Sequence, residues 1–399
     1  MWIFPWKYKE SFSVVLGLYL SGLLLQIITA ISIPALSFPF NLIFVVFIIL
    51  VSLYLFRFKR AHPIVVWLSS IHASISAIVF IAFQCFCMGF IPQTESTSPV
   101  ISYLGLNHII SSWPFLYAEI YFLITLALIT LKRSIPFKFS NLGFILNHFG
   151  LWITVVAMML GNGDKQKVTL NLSESKVQWQ GATQTGNLID LPLAIKLNKF
   201  KINDYNPTLV LVDNIQNNVI NNKKHKAQEL IEQGKTYKQG DWSCKVLQYL
   251  PDAAFFNNTF ISYKSVGSVP AALIIATNIS GEKVEGWISC GNYMNTSTLL
   301  RLDRQVSLAM TIPIPKKYSS SLTIYTPDKK ILNTIIEVNK PIKINGWSIY
   351  QTGFDSKMGK WSTTSIVELV KDPWLIIVYF GFTMLIIGSF FLFLKRRNY

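Results

Sequence analysis

Charge is scarce in this chain. Asp, Glu, Lys and Arg together make up 14% of its 399 residues, where a soluble domain carries roughly 25%. That deficit excludes an ordinary water-soluble globule. Cysteine is rarer still, with Cys85, Cys87, Cys244 and Cys290 the only four. No Cys-x-x-Cys or Cys-x-x-Cys-His occurs, so neither a thiol oxidoreductase nor a c-type cytochrome is encoded. Cys85 and Cys87, two apart, would point about 200° away from each other on a helix. Cys244 and Cys290 fall in a polar stretch where an oxidising compartment would permit a disulfide, and sequence leaves their pairing open. Also missing are a Ser/His/Asp arrangement, a phosphate loop, an HExxH motif and suitably spaced paired carboxylates. No hydrolase or kinase site is supported, and no catalytic residue is assigned.

Apolar residues are abundant: 51% of the chain, with a mean hydropathy of +0.40. They concentrate in six blocks, residues 11–33, 40–56, 64–91, 115–131, 142–160 and 374–394. Each is long enough to cross roughly 30 Å of hydrocarbon as a helix. The first resembles a signal sequence, but its length and the spans that follow predict an uncleaved anchor. Outside the long polar stretch the basic residues are Lys7, Lys9, Arg57, Lys59, Arg60, Lys132, Arg133, Lys138, Lys395, Arg396 and Arg397. Six spans put all of these on one side, and the opposite loops, 32–39 and 92–114, contain none. The positive-inside rule then places both termini in the cytoplasm and the polar stretch outside, in a bacterial inner membrane. The expected domains are a five-helix membrane domain (1–161), an extracytoplasmic domain (162–371), and a sixth helix with a short tail (372–399).

The net charge of +16 raises nucleic acid as a partner. Topology accounts for the basic residues just named, and the remainder are scattered among Asn, Thr and Ser. A solvated or lipid-facing surface explains them better, and no nucleic-acid partner is expected. Within 162–371 the apolar runs shorten and alternate, at 168–172, 193–200, 208–212, 271–277, 321–325 and 344–351. This pattern predicts a mostly-β domain, a sandwich or open barrel. Only 226–233 reads as helical.

Three segments carry a resemblance. They are 146–152 (Leu-Asn-His-Phe-Gly-Leu-Trp), 191–200 (Leu-Pro-Leu-Ala-Ile-Lys-Leu-Asn-Lys-Phe) with Tyr205, and 338–355, which includes Gly346-Trp-Ser-Ile-Tyr-Gln351 and ends at Asp355. Asp372-Pro373 then opens the last span. In order and placement they resemble the ResB/CcsB family of cytochrome c biogenesis (System II), from about residue 142 onward. Spans one and two read as an N-terminal addition. The resemblance implies a protein that moves haem b outward and presents it for attachment to apocytochrome c. It also implies a CcsA-like membrane partner that supplies a tryptophan-rich outer haem site. This chain has no Trp-Trp-Asp-like run, so a separate partner rather than a fused one is expected.

His148 is the leading cofactor-binding candidate. Counted as continuous helix from Lys138 it lies roughly 15 Å into the membrane, where ionisable groups default to function. A neutral imidazole is an axial ligand for haem iron. The competing reading is a polar packing residue, with Asn147 beside it. His72 lies roughly 18 Å in, counted from Arg60, among small residues that permit close helix approach. It is read either as facing His148 across one haem or as a packing contact; the resemblance implies instead that a partner histidine pairs with His148. His108, in the apolar loop 101–113 anchored by Trp113, either guards an outer haem position or sits on the surface. Glu119, a carboxylate inside a span, either gates or pairs with a partner, or reaches water. His62 and His225 receive no role. Trp347, Tyr350, Gln351 and Asp355 read as structural, a strand docking the β domain onto the final helix with its aromatic side inward. The abundance of Phe, Tyr and Trp suits a porphyrin and ordinary membrane packing equally. The alternative function is a non-catalytic membrane-anchored sensor or scaffold with a ligand-binding β domain; a permease lacks paired broken helices.

Overall fold

The computed structural model describes residues 2–94, 98–220 and 229–396. The chain divides into a helical unit, Met1–Gln166 with Asp372–Tyr399, and a β domain, Lys167–Lys371. The helices are α1 (Tyr8–Thr29), α2 (Phe40–Phe58), α3 (Pro63–Leu68), α4 (Ile71–Phe90), α5 (Pro99–Tyr103), α6 (Trp113–Ser134), α7 (Leu142–Gly161) and α8 (Leu375–Arg396). Six of the described helical segments are long and apolar enough to cross a membrane, five before the β domain and one after it.

The apolar block 64–91 is not one helix. Ser69 and Ser70 separate α3 from α4: Ser70 is extended, and its hydroxyl accepts the Ala73 amide at 3.5 Å. A serine that caps the following helix competes with continuation of the preceding one. His72 is therefore the second residue of α4, and the depth counted along a continuous helix does not apply to it.

Glycine sets the packing of α7 on α8. A Cβ at Gly150 would lie 2.8 Å from the Gly381 carbonyl oxygen and 2.9 Å from the Leu385 nitrogen, and one at Gly143 would lie 3.1 Å from the Gly388 oxygen. Only hydrogen fits between these backbones, the packing mode of helices that gain nothing from water exclusion. Asn147 on the same stripe donates to Ser389 Oγ at 2.9 Å. Side-chain amides stitch the other helices. Gln26 of α1 accepts the Trp113 amide at 3.2 Å, and Gln84 of α4 donates to the Pro114 carbonyl at 3.3 Å. Trp113 itself donates to Thr29 Oγ1 at 3.1 Å. It ties α6 to α1.

The β domain has strands β1 (Gln166–Ser173), β2 (Val177–Thr183), β3 (Leu188–Asp204), β4 (Leu209–Asp213), β5 (Thr236–Gln239), β6 (Trp242–Phe256), β7 (Thr259–Ser262) and β8 (Val269–Asn278). There follow β9 (Lys283–Ser289), β10 (Leu300–Arg301), β11 (Val306–Met310), β12 (Pro315–Tyr325), β13 (Ile331–Glu337), β14 (Ile342–Ile344), β15 (Trp347–Phe354) and β16 (Thr364–Lys371). The first three and last five form one eight-stranded sheet, in the order β13-β12-β3-β2-β1-β16-β15-β14. It curls until β13 touches β15, an open barrel around Leu172, Ile195, Leu322, Ile349 and Leu369. The intervening strands form a three-stranded and a five-stranded sheet around a second core that includes Cys244, Ile274, Ile288 and Leu308.

Two local readings change. The expected strand 344–351 is a hairpin, because Asn345 (φ 47°) and Gly346 (φ 81°) form the two-residue turn between β14 and β15. Asn-Gly is the pair that tolerates two positive φ angles. Trp347, Ile349 and Gln351 then face the core, while Tyr350 lies on the other face, half-buried. In the expected helix 226–233, residues 226–228 lie outside the described ones, as does His225. The remaining 229–233 are not helical: Leu230 bridges to Thr208 and Ile231 is fully buried.

Candidate functional site

A cavity of about 680 Å³ opens between α4, α6 and α7, within the size range of ligand pockets, roughly 300–1,000 Å³. One wall is Ile71, Ser74, Ile75 and Ile78 of α4; the back is Phe122, Thr125, Leu126 and Ile129 of α6; the third side is Phe144, His148 and Leu151 of α7. Lys132, Arg133 and Ser69 complete it at the Lys/Arg-bearing end of α6. The lining is thus mostly apolar, with hydroxyls, two cations and one imidazole.

His148 is the seventh residue of α7, about 9 Å along the helix from Leu142. It lies about 140° round the helix from Gly143 and about 160° from Gly150, which frees its face for the cavity while the stripe packs α8. Its Nδ1 is 3.0 Å from the Phe144 carbonyl oxygen. A carbonyl only accepts, so Nδ1 carries the hydrogen and Nε2 keeps the lone pair. Nε2 has no hydrogen-bond partner among the described residues, and this is the tautomer a metal-ligating histidine adopts. The ring is further held by stacking on Phe144, with centroids 3.6 Å apart and planes 24° apart. Arg133 lies over the other partner in the stack, 4.2 Å from the Phe144 centroid. Its own carbonyl receives Asn141 Nδ2 at 3.2 Å, tying the end of α6 to the start of α7.

The other sequence candidates lie elsewhere. His72 packs edge-on against Tyr8 of α1, with ring centroids 4.6 Å apart, and does not line the cavity. One position on from Ile71, it is turned about 100° from the cavity-lining edge of α4. The in-chain pair of His72 and His148 across one ligand is therefore not formed. His108 is exposed in the short turn Leu106–Ser111, at the opposite end of α6 from Lys132 and Arg133. Glu119 is half-buried on α6 without a hydrogen bond or ion pair among the described residues, and it too lies outside the cavity lining. His62 caps α3, its Nδ1 accepting the Ile64 amide at 3.4 Å. Among the described residues no group of three or more His, Cys, Asp and Glu side chains could hold a bare metal ion.

Sequence reasoning passed over Lys132, Arg133 and Phe144. The two cations were absorbed by the topology argument, and Phe144 looked like one apolar residue among many. Arg133 and Phe144 meet only because the chain reverses between α6 and α7. The single available signal was a basic pair ending one span just before a histidine-bearing span begins.

The fold's second notable polar site is Asp164, just beyond α7. Its carboxylate accepts the Phe38 amide, Asn41 Nδ2 and Trp374 Nε1, each at 2.7 Å. Desolvation pushes its pKa up, but the Phe38, Trp374 and Asn41 donors outweigh that and hold it below the usual carboxylate range. In the β domain, Cys244 and Cys290 are free thiols. Burial pushes Cys244 up to about 12 and Cys290 up to about 11, so both stay protonated and unreactive at neutral pH.

Residues 303–368 match the ResB-like family model, in keeping with the resemblance seen in the sequence. The matched stretch runs from just before β11 to within β16 and includes Trp347, Gln351 and Asp355; it does not reach His148. No curated protein matches the chain.

Proposed function

Proceeding from that ResB-like segment, a family associated with cytochrome c biogenesis, we infer that the chain is a membrane haem-handling subunit of cytochrome c maturation. In this reading the helices lie in a bacterial inner membrane with their Lys/Arg-bearing ends in the cytoplasm and the β domain outside. The cargo is haem b, held in the cavity of α4, α6 and α7 on its way to apocytochrome c and a CcsA-like partner. The observation that carries this reading is His148, an imidazole lining an apolar cavity with its Nδ1 hydrogen already committed.

When bound, haem supplies an iron that takes an axial nitrogen ligand. The chain's residues do the rest. Phe144 fixes the imidazole by one hydrogen bond and one stacking contact, leaving Nε2 as the ligating atom. The isoleucines of α4 with Phe122 and Leu126 of α6 offer a dry surface to a flat apolar ring. No second histidine lines the cavity, so His148 is the one axial ligand this reading draws from the described chain.

The test is the absorption spectrum of the detergent-purified protein expressed with a CcsA-like partner, wild type beside His148→Ala. With a histidine of the CcsA-like partner as the second axial ligand, a Soret band with low-spin visible bands in the wild type, lost in the variant, is expected. Absence of haem from both proteins, with the partner present, would favour the scaffold reading.

A further inference from the structure

We propose that Lys132 and Arg133 form an anion-binding rim that takes the carboxylate edge of the molecule in the cavity and so sets its orientation; this rests on the reading of the cavity as a haem site. Both residues line the cavity from the last turn of α6. Neither has an ion-pair partner among the described residues, where all six ion pairs lie in the β domain. Lys132 reaches only Ser69 Oγ, at 3.4 Å, and Arg133 rests on the Phe144 ring.

Two cations without an ion-pair partner among the described residues, at one end of a mostly apolar cavity, select an amphiphile whose anionic group lies at that end. Charge-assisted hydrogen bonds to a carboxylate are about twice as strong as neutral ones, and a guanidinium donates two parallel N–H bonds to a carboxylate. One phenyl ring, Phe144, separates the guanidinium from the imidazole. The cavity therefore pairs an anion subsite with a metal-ligating nitrogen through a single stack. A flat metal chelate with carboxylates on one edge satisfies both at once. That edge faces Lys132 and Arg133, and the apolar body lies against Ile75, Ile78 and Leu126.

An anionic lipid headgroup would offer these cations the same chemistry, so the experiment separates the two. The full-length protein in non-ionic detergent is titrated with ferric protoporphyrin IX and with its dimethyl ester, following the Soret band. Wild type is compared with K132Q/R133Q and with the charge-retaining K132R/R133K. Wild type should prefer the free diacid by roughly tenfold or more, the expected size for a charge-assisted hydrogen bond. K132Q/R133Q should lose that preference and K132R/R133K should keep it. Equal binding of diacid and ester by wild type, or an unchanged preference in K132Q/R133Q, overturns this proposal alone and leaves the haem reading standing. Binding of neither porphyrin by wild type overturns both. Repeating the titrations in phosphatidylcholine nanodiscs, with and without phosphatidylglycerol, should leave the preference intact. Its abolition by phosphatidylglycerol would assign the cations to lipid and overturn the proposal.

Discussion

The two units of this chain satisfy their polar groups in opposite ways. In the β domain charge is plentiful and pairs at the surface, as in Lys317–Glu337 at 2.6 Å and Lys330–Asp328 at 2.7 Å. The helical unit has no ion pair among the described residues and relies on single amides and hydroxyls, such as Asn41, Gln26 and the Ser76–Tyr121 pair at 2.9 Å. Between apolar helices each such bond meets a specific need, since a buried polar group without a partner is costly. A polar side chain in the helices is therefore informative where the same residue in the β domain is ordinary. The exposed cations Lys132 and Arg133 and the half-satisfied His148 stand out against that background.

The contrast is broken most severely at the α7–α8 contact. Gly150→Leu places a side chain between two backbones that cannot yield, and should cost about 3 kcal/mol or more, seen as loss of the monodisperse peak in detergent. Gly186→Ala is its counterpart in the β domain, at a turn with φ 82° and open space around it; about 1 kcal/mol is expected there from backbone strain alone. Equal losses at the two sites would mean that helix approach is not what holds α7 against α8.

The open barrel contains one exception to its own pattern. Gln351, Ser320 and Ser365 form a buried hydrogen-bonded trio, with Ser320 Oγ 2.8 Å from Ser365 Oγ and both serines bonded to Gln351 Oε1. Gln351→Leu should cost about 2 kcal/mol, because Gly353 O and the serines lose their partner. The triple variant S320A/Q351L/S365A should recover much of that loss. Denaturant melts of wild type, single and triple variants check both claims.

Asp164 sharpens the comparison through pH. Its folded pKa is below the unfolded value, so its stabilisation is present above about pH 4 and is lost as pH falls through the folded pKa. Asp164→Ala should lower stability by roughly 1–2 kcal/mol at pH 7 by stranding its donors. It should also flatten the acid limb of the Tm-versus-pH curve. The smallest effect is expected at the thiols: reductant should leave both Tm and non-reducing gel mobility unchanged, since Cys244 and Cys290 are free.

The apolar blocks were legible because each is by itself long and apolar enough to cross a membrane; what breaks them was not. Ser69 and Ser70 look like small residues within a helix until Ser70 is seen capping α4, and that break moved His72 away from the depth assigned to it. Alternation revealed strands β1, β3, β4, β8 and β12 but not their order. β1 and β16 are sheet neighbours some 200 residues apart, a pairing no local pattern encodes. Asn345-Gly346 was a hairpin signal hidden inside what looked like one alternating run. At the site, His148 stood out as a rare residue type in its setting. Arg133 and Phe144 did not, because their roles arise only when α6 and α7 come together.

The most direct measurement is the absorption spectrum of His148→Gly, prepared with haem and its partner protein, before and after adding imidazole. The account predicts loss of the low-spin Soret spectrum in the variant and its return when imidazole fills the vacated position. An unchanged spectrum in His148→Gly without imidazole would contradict it, and would show that the haem is ligated elsewhere.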